Sequence, residues 1–310
     1  MTTPPPPARS RPAPLAHRNS GGATFPWPAA AAGPDPDADL LEALREAVAS
    51  GRTTPVRALK SAPGKEVHLV RWEGRELVLK RYRHPRALLW RTALAPSRAA
   101  REFANLRRLV ERGVPCVRPL AWGERRVLGC TTTSWIATAY AGSSETVDHR
   151  MFGLPPRPGE DARRRRAVAS RAGRLVRRLH EAGTIACTLH PRNVIVTGAG
   201  ERARLLLIDL PHAQHFARDV VATRRALIDL YDLGWSSGAR RLWNAAEQRA
   251  LLAAYARGDR AVARDLGRRL DRRGSRRQAV QRELLKLISS TARSVVWRET
   301  RMHRDAIETR

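Results

Sequence analysis

The sequence has few cysteines and no long apolar run, and both absences narrow the class of protein. Its three cysteines (Cys116, Cys130 and Cys187) lack metal-ligand spacing, and their odd number gives no disulfide framework. They are predicted to be buried or inert thiols in a reducing compartment. No run approaches the roughly 18 apolar residues that cross a bilayer, and the Pro-rich start has no apolar signal region. These absences predict a cytoplasmic protein.

Lysine is also scarce, although the chain is strongly basic. The formal net charge is +29, yet only 4 of the 58 basic residues are lysines, namely Lys60, Lys65, Lys80 and Lys286. This preference for Arg, together with abundant Ala, is typical of a GC-rich genome. The alternative is selection for an acidic partner, since such a charge attracts phosphate, acidic lipid or polynucleotide.

The start of the chain has little that a core can bury. Residues 1–36 are rich in Pro, Ala and Gly, which predicts a disordered tail. Asp37 then begins a short amphipathic helix that Gly51 ends. We divide the rest of the chain into an N-terminal lobe with this leading helix, residues 37–144, and a C-terminal lobe, residues 145–310.

Strand patterns dominate the N-terminal lobe. Residues 67–72 and 76–82 alternate as a hairpin does, with a turn at Glu73-Gly74. The segment SRAAREFANLRRLVER, residues 97–112, predicts a helix with one apolar face. VRPLAWGE, RRVLGC and SWIATAYA predict three further strands, which end near residue 141. This lobe is therefore predicted to be an antiparallel sheet with one helix.

Helical patterns dominate the C-terminal lobe. Residues 163–183 predict a helix whose many Arg side chains face solvent; a nucleic-acid-binding helix is the alternative. NVIV (193–196) and RLLLIDL (204–210) predict two short strands, and residues 218–305 predict only helices. The fold class is therefore α+β: two lobes, an antiparallel β N-lobe with one helix and a mainly helical C-lobe.

This order of elements resembles the protein-kinase-like fold, and four motif residues stand where that fold needs them. Lys80 in ELVLKRY matches the strand lysine that contacts ATP, and Glu102 matches its helix partner. Asn193 in LHPRNVIV and Asp209 in LLLIDL match the metal-binding residues, whose oxygen atoms suit Mg²⁺. Each residue alone is weak evidence, because surface or turn positions also carry these types. Their order along the predicted elements is the stronger signal.

Within that superfamily the chain resembles the lipopolysaccharide core kinases, which phosphorylate Kdo or heptose. LVLKRYRHPRALLWR, AAREFANLRRLVERGVPCVRPLAWGE, RLHEAG…LHPRNVIV and LLLIDL carry the resemblance, which covers about residues 55–245. It implies ATP and Mg²⁺ as cofactors and the sugar hydroxyl of a lipid-linked acceptor as substrate. It also implies a site at the inner face of the cytoplasmic membrane, whose anionic surface suits a basic protein.

Two departures from the family pattern concern catalysis. The loop that covers the nucleotide, residues 59–70, has the single glycine Gly64 where three are usual, so it offers fewer free amides to phosphate. Thr188 stands where the catalytic aspartate is expected, and a hydroxyl is no base near neutral pH. His190 is a candidate substitute base, although histidines in such loops are commonly structural. No residue is therefore assigned as catalytic.

Several functions stay open on the sequence alone. The loss of the aspartate favours a pseudokinase that binds Mg²⁺–ATP over a weak enzyme. A small-molecule kinase of the aminoglycoside type shares the fold, but it usually carries the same aspartate. The alternative outside enzymes is a basic scaffold that docks on anionic lipid or nucleic acid. Trp72, Trp122 and Trp135 lie in strand-like runs, which argues against nucleic acid because stacking residues would lie among the Arg clusters.

Overall fold

A computed structural model describes residues 38–84, 92–93, 95–143, 145–153, 159–198 and 203–272 of the chain. The predicted disordered tail, residues 1–36, and the helices predicted beyond residue 272 lie outside these ranges. The elements are, in chain order, α1 (Ala38–Ala49), β1 (Thr54–Ala62), β2 (Lys65–Trp72), β3 (Arg75–Arg83), α2 (Arg98–Glu111), β4 (Pro119–Val127), β5 (Cys130–Ala139), α3 (Val147–Gly153), α4 (Glu160–Glu181), β6 (Thr184–Ile185), a 3-10 turn (Pro191–Asn193), β7 (Val194–Thr197), β8 (Arg204–Leu207), β9 (Gln214–His215), α5 (Ala226–Gly234), α6 (Ser237–Arg240), α7 (Ala245–Tyr255) and α8 (Arg260–Arg272).

A five-stranded antiparallel sheet forms the N-terminal part, in the order β1-β2-β3-β5-β4. The predicted hairpin is β2–β3. Its turn residues Glu73 and Gly74 have φ angles of 46° and 72°, the left-handed pair that a tight hairpin turn needs. Helix α2 begins after Ser97, whose side chain accepts the Ala100 amide. The predicted antiparallel sheet with one inserted helix is confirmed.

The prediction of three strands between residues 117 and 141 is wrong, because two strands cover that range. β4 continues through Gly123, where a Cβ atom would lie 2.6 Å from Nε1 of Trp135. Glycine is needed there so that the Trp135 indole can lie across β4, and this glycine does not interrupt the strand. The apolar pair Val127-Leu128 is a hairpin tip, with Leu128 97% exposed.

Strand β1 was missed by the sequence analysis, which assigned residues 59–70 to a loop over the nucleotide. Its side chains are exposed or nearly so along its whole length, so it has no alternation of apolar and polar residues to detect. As an edge strand with bulges it buries nothing. The predicted loop is therefore wrong for most of its length: residues 59–62 belong to β1, residues 65–70 belong to β2, and only the turn at Pro63-Gly64 joins them.

The two faces of β3 pack against different cores. Leu77 and Leu79 point to a small cluster that α1 closes with Leu44, Ala47 and Val48. The opposite face carries Lys80 and Tyr82, since side chains alternate along a strand. Tyr82 belongs to the large core that α2 shares with the helical part. β3 therefore turns one apolar face to α1 and one mixed face to α2.

The C-terminal part is mainly helical, as predicted. The long helix α4 turns Val168, Leu175, Val176 and Leu179 inward, and it packs against α7. None of the helices in the described ranges combines the length and the apolar character of a membrane-spanning segment. The lobe boundary between residues 144 and 145 stays a prediction.

Candidate functional site

A buried ion pair between β3 and α2 forms the first half of the site. Glu102 accepts one hydrogen bond on each carboxylate oxygen, from Lys80 Nζ at 2.6 Å and from the Tyr82 hydroxyl at 2.8 Å. Lys80 and Tyr82 reach it together because they lie two residues apart on β3. Glu102 is fully buried and Lys80 nearly so. The structure therefore brings two of the predicted site residues into contact.

Burial and the neighbouring carboxylates act together on the pKa of Lys80 and of Tyr82. Burial alone would lower the pKa of Lys80, but the carboxylates of Glu102 and Asp209 raise it, and the net direction is upward. Burial, followed by the charge on Glu102, raises the pKa of Tyr82. Lys80 therefore stays an ammonium and Tyr82 a neutral hydrogen-bond donor. A compact ammonium held in this way suits phosphate oxygens.

Asp209 forms the second half of the site and faces three cations. Its carboxylate lies 2.8 Å from Lys65 Nζ, 3.3 Å from Arg98 Nη2 and 3.9 Å from Lys80 Nζ. Burial alone would raise the pKa of Asp209, but Lys80, Lys65 and Arg98 lower it well below its usual range. We call Lys65, Lys80, Arg98, Glu102 and Asp209 the Asp209 cluster. The Asp209 carboxylate is therefore ionised at any physiological pH.

Backbone pairing brings Asn193 next to Asp209. Asn193 immediately precedes β7, and Asp209 follows β8 by two residues. Because Val194 pairs with Leu207, the start of β7 lies beside the end of β8, and the Ile208 amide donates to the Asn193 carbonyl at 2.9 Å. Asp209 has a φ of 58°, a left-handed conformation that Asp tolerates better than most residues.

The loop before β7 has a defined shape in spite of its unusual sequence. Thr188 is buried, and its carbonyl accepts hydrogen bonds from the Asn193 side-chain amide at 2.8 Å and from the His190 backbone amide at 3.0 Å. Asn193 thus fixes the loop through its nitrogen, so its amide oxygen is the end that suits a cation. The turn around Thr188 is therefore held by hydrogen bonds to its backbone, and threonine stands at the position where the sequence led us to expect an aspartate.

Asp229 on α5 holds the other side of this loop. The Asp229 carboxylate accepts hydrogen bonds from the backbone amides of Ala186 and Cys187 at 2.7 and 2.9 Å, and it lies 3.2 Å from His180 Nε2. The Tyr255 hydroxyl accepts the Ala222 amide at 3.1 Å and lies 2.8 Å from His180 Nδ1. His180 therefore lies between the Tyr255 hydroxyl and the Asp229 carboxylate, with one ring nitrogen facing each of them.

A second buried chain of hydrogen bonds ties α2 to the residues after Asp209. The Asn105 side-chain nitrogen donates to the Leu210 carbonyl at 2.7 Å, and its oxygen lies 3.1 Å from His215 Nε2. His215 Nδ1 in turn lies 2.9 Å from the Thr184 hydroxyl. Because α2 carries Glu102 and Arg98, this chain fixes both halves of the site relative to each other.

The oxygen groups present fit a divalent cation of the magnesium type. The described residues hold no group of three His, Cys, Asp or Glu side chains with metal-ligand geometry, so a zinc-like cage is absent from that part of the chain. Mg²⁺ instead takes one or two protein oxygens and completes its shell with water and substrate phosphate. Asp209 and Asn193 supply that number of oxygen ligands.

Three residues of the site escaped the sequence analysis. Arg98 lies four residues before Glu102 on α2, and this spacing puts both on one helix face, so it was a usable signal. Lys65 is one of only four lysines, and that rarity was a second signal. Asp229 gave no signal in the sequence, because it lies 43 residues beyond Ala186 and only folding brings the two residues together.

The fold and site together define a class of protein. An antiparallel sheet with one helix, a Lys–Glu pair between them and an Asn beside an Asp at a strand hairpin of the helical part form the architecture of kinase-like phosphotransferases. The predicted fold class is confirmed by a structure titled "WaaP in complex with acyl carrier protein". That structure aligns with a TM-score of 0.51 and 21% identity over 75% of this chain and 92% of its own.

The family follows from the sequence itself. The profile of the Lipopolysaccharide kinase (Kdo/WaaP) family matches residues 62–255, which is more than half of the chain. The chain therefore belongs to the Lipopolysaccharide kinase (Kdo/WaaP) family, as its motifs had predicted. Membership implies ATP as phosphoryl donor. No curated protein matches the chain by sequence.

Proposed function

We propose that the chain binds Mg²⁺–ATP between its two lobes, with the sugar hydroxyl of a lipid-linked acceptor as the target of any phosphoryl transfer. The observation that carries this proposal is the contact of Lys80 with both Glu102 and Asp209, at 2.6 and 3.9 Å. A buried lysine between two carboxylates, one of which follows a strand paired with the strand after an asparagine, is the arrangement that kinases use for nucleotide phosphates.

Each residue has a distinct part in this proposal. Lys80 contacts the phosphates, and Glu102 holds its ammonium in position. Asp209 and Asn193 offer the oxygen ligands of the metal. The bound metal would neutralise charge on the phosphate oxygens, and the protein would supply position and charge around it.

Thr188 sets the level of activity in this proposal. Its hydroxyl is able to orient an incoming acceptor hydroxyl, but it does not take up a proton near neutral pH. A missing general base lowers the rate about 10²–10⁴-fold. Part of the rate is retained in a loose transition state, because the metal and the positioning of the reactants contribute more than the base. The chain is therefore proposed to be a weak kinase or a pseudokinase, with nucleotide binding retained.

Nucleotide binding tests the proposal directly. Calorimetric titration of the wild type with Mg²⁺–ATP is expected to give saturable binding, and ATP at 100 times Kd stabilises the fold by about 2.7 kcal/mol. Lys80→Met and Asp209→Asn are expected to weaken binding at least ~10-fold, since each removes a charge-assisted contact. Lys60→Met is the matched control, because Lys60 is an exposed lysine of the same sheet. Absence of binding by the folded wild type at millimolar ATP would remove the proposal.

We also propose that the protein associates with the anionic inner face of the cytoplasmic membrane, where a lipid-linked acceptor would lie. The support is the net charge of +29 and the tip of the β4–β5 hairpin, where Val127 and Leu128 are exposed next to Arg125 and Arg126. Apolar tips flanked by cations suit an anionic interface. A basic scaffold without catalysis would use the same surface.

Vesicle sedimentation separates these contributions. Binding to vesicles that contain acidic lipid is expected at low salt and should fall steeply as salt rises, because screening weakens the attraction. Leu128→Ser is expected to reduce the binding, and Val56→Ser, at another exposed apolar residue, is the control. Binding that is equal on neutral vesicles and insensitive to salt would contradict the proposed attraction.

A further inference from the structure

We propose that Lys65 and Arg98 bind the nucleotide phosphates, and that they form ion pairs with the Asp209 carboxylate while no nucleotide is bound. Nucleotide and divalent cation would then bind with positive coupling. The proposal rests on the proposed function, because it concerns the same cleft. It assigns a role to two residues outside the set that the kinase motifs identify. Lys65 comes from the start of β2, and Arg98 from the first turn of α2.

The local backbone directs Lys65 to this cleft. Gly64, just before it, has a φ of 73°, and a Cβ atom there would lie 2.9 Å from the carbonyl oxygen of Arg83. Only glycine makes this close turn without strain, and the turn starts β2 with Lys65 opposite Tyr82. The single glycine of the β1–β2 turn therefore serves to position a lysine.

Both cations also lie against the ring of Tyr82. Lys65 Nζ lies 5.6 Å from the centre of the Tyr82 ring, and Arg98 Cζ lies 5.0 Å from it. Cations over an aromatic face are attracted by the ring. Lys65 and Arg98 thus keep a favourable contact in the cleft that does not depend on Asp209.

The charge balance of the Asp209 cluster favours a polyanion. Lys65, Lys80 and Arg98 contribute three positive charges, and Glu102 and Asp209 contribute two negative ones, which leaves one positive charge. The short β1–β2 turn, with its single glycine, offers few free backbone amides to phosphate, so the side chains of Lys65 and Arg98 supply the missing donors. Phosphate oxygens would replace the carboxylate as their partner.

The same contacts disfavour a divalent cation on its own. Both oxygens of Asp209 already contact cations, with Lys65 at Oδ2 and Arg98 at Oδ1. A metal ion that approaches this carboxylate meets three positive charges within about 4 Å and is repelled. Once phosphates draw Lys65 and Arg98 away, Asp209 is free to bind the metal. By linkage, the metal then raises the affinity for nucleotide by the same factor.

A purely structural function of these contacts is the simpler explanation. Lys65 and Arg98 come from the sheet-rich part and Asp209 from the helical part, so their ion pairs also hold the two parts together. The two explanations predict opposite changes in metal affinity. If the ion pairs mainly hold the two parts together, their loss disturbs Asp209 and weakens metal binding. If Lys65 and Arg98 compete with the metal for Asp209, their loss strengthens metal binding.

Lys65→Met and Arg98→Met therefore distinguish the two. We expect each variant to bind Mn²⁺ alone about 10-fold more tightly than the wild type. The concentration of free Mn²⁺ is measured from its electron paramagnetic resonance signal. We expect each to bind ATP in EDTA about 10-fold more weakly, measured by calorimetry. Lys60→Met and Arg107→Met are the matched controls, since both residues are exposed and Arg107 lies on the same helix as Arg98. Adenosine affinity should not change in any variant.

The possible failures are distinct. If wild type and variants all bind ATP and Mn²⁺ equally well, the role of Lys65 and Arg98 is overturned and the proposed function stands. If the variants lose affinity for both probes, the contacts form a structural clamp and the inference is again wrong. If the folded wild type fails to bind ATP under every condition, both the proposed function and this inference fail.

Discussion

Replacement of Thr188 by Asp is expected to raise the rate of phosphoryl transfer by ~10-fold or more, with nucleotide affinity little changed. The loop already has the hydrogen bonds that place this residue, from Asn193 and His190 to the Thr188 carbonyl. These bonds use the backbone and are kept by the variant. The new carboxylate would supply the proton acceptor that we propose to be missing at this position, so the gain belongs to the chemical step.

Two further variants identify the cause of that gain. Thr188→Asn matches Asp in shape without a basic oxygen, so it should stay near the wild-type rate. His190→Ala should change the rate little, which would exclude His190 as a substitute base. Transfer is measured with radiolabelled ATP and a sugar-lipid acceptor, or as slow hydrolysis by water. A wild type that transfers at an ordinary kinase rate, with Thr188→Asp unchanged, would contradict the assignment of Thr188.

Arg165→Met is expected to lower the free energy of unfolding by about 3–5 kcal/mol, because it breaks a buried ion pair on one side only. Arg165 on α4 contacts Glu247 on α7 at 2.6 and 2.9 Å, and it donates to the carbonyls of Met151 and Leu242 at 2.6 Å each. Both side chains of the pair are almost completely buried. The variant leaves a carboxylate and two carbonyls without this donor.

Neighbouring residues provide the controls for this effect. Arg164→Met removes an exposed pair with Glu160 and should cost less than about 1 kcal/mol. The double variant Arg165→Met/Glu247→Leu should recover part of the loss, since an apolar pair replaces the buried charge. Denaturant unfolding measures all three variants. Equal stability of Arg165→Met and Arg164→Met would contradict the structural importance of the buried pair.

Local patterns in the sequence sufficed for the main elements and the motif residues. The β2–β3 hairpin, α2 and α4 each show a clear period. Lys80 and Glu102 stand on two of these elements, and Asn193 and Asp209 lie just before β7 and just after β8. The order of those elements was enough to predict the fold that the comparison with a solved structure confirms. The roles of the four residues stay predictions until nucleotide binding is measured.

Features that depend on long-range contacts escaped the sequence analysis. The Arg run in α4 was assigned to solvent as a whole, but Arg165 is buried because α7 presents Glu247 to it. The Lys65–Asp209 and Arg98–Asp209 contacts join residues 144 and 111 positions apart. Gly123 in β4 depends on the indole of Trp135 in the neighbouring strand. A short window of sequence does not show which distant partner any of these residues contacts, even where spacing or rarity singles out Arg98 and Lys65.

The most direct test of the central claim measures ATP binding and phosphoryl transfer on the same wild-type sample, with and without Mg²⁺. We expect saturable ATP binding that Mg²⁺ strengthens, together with transfer that is about 10²–10⁴-fold slower than in a kinase with its base intact. Transfer at an ordinary kinase rate would contradict the role assigned to Thr188. Absence of binding by the folded protein would contradict the nucleotide site itself.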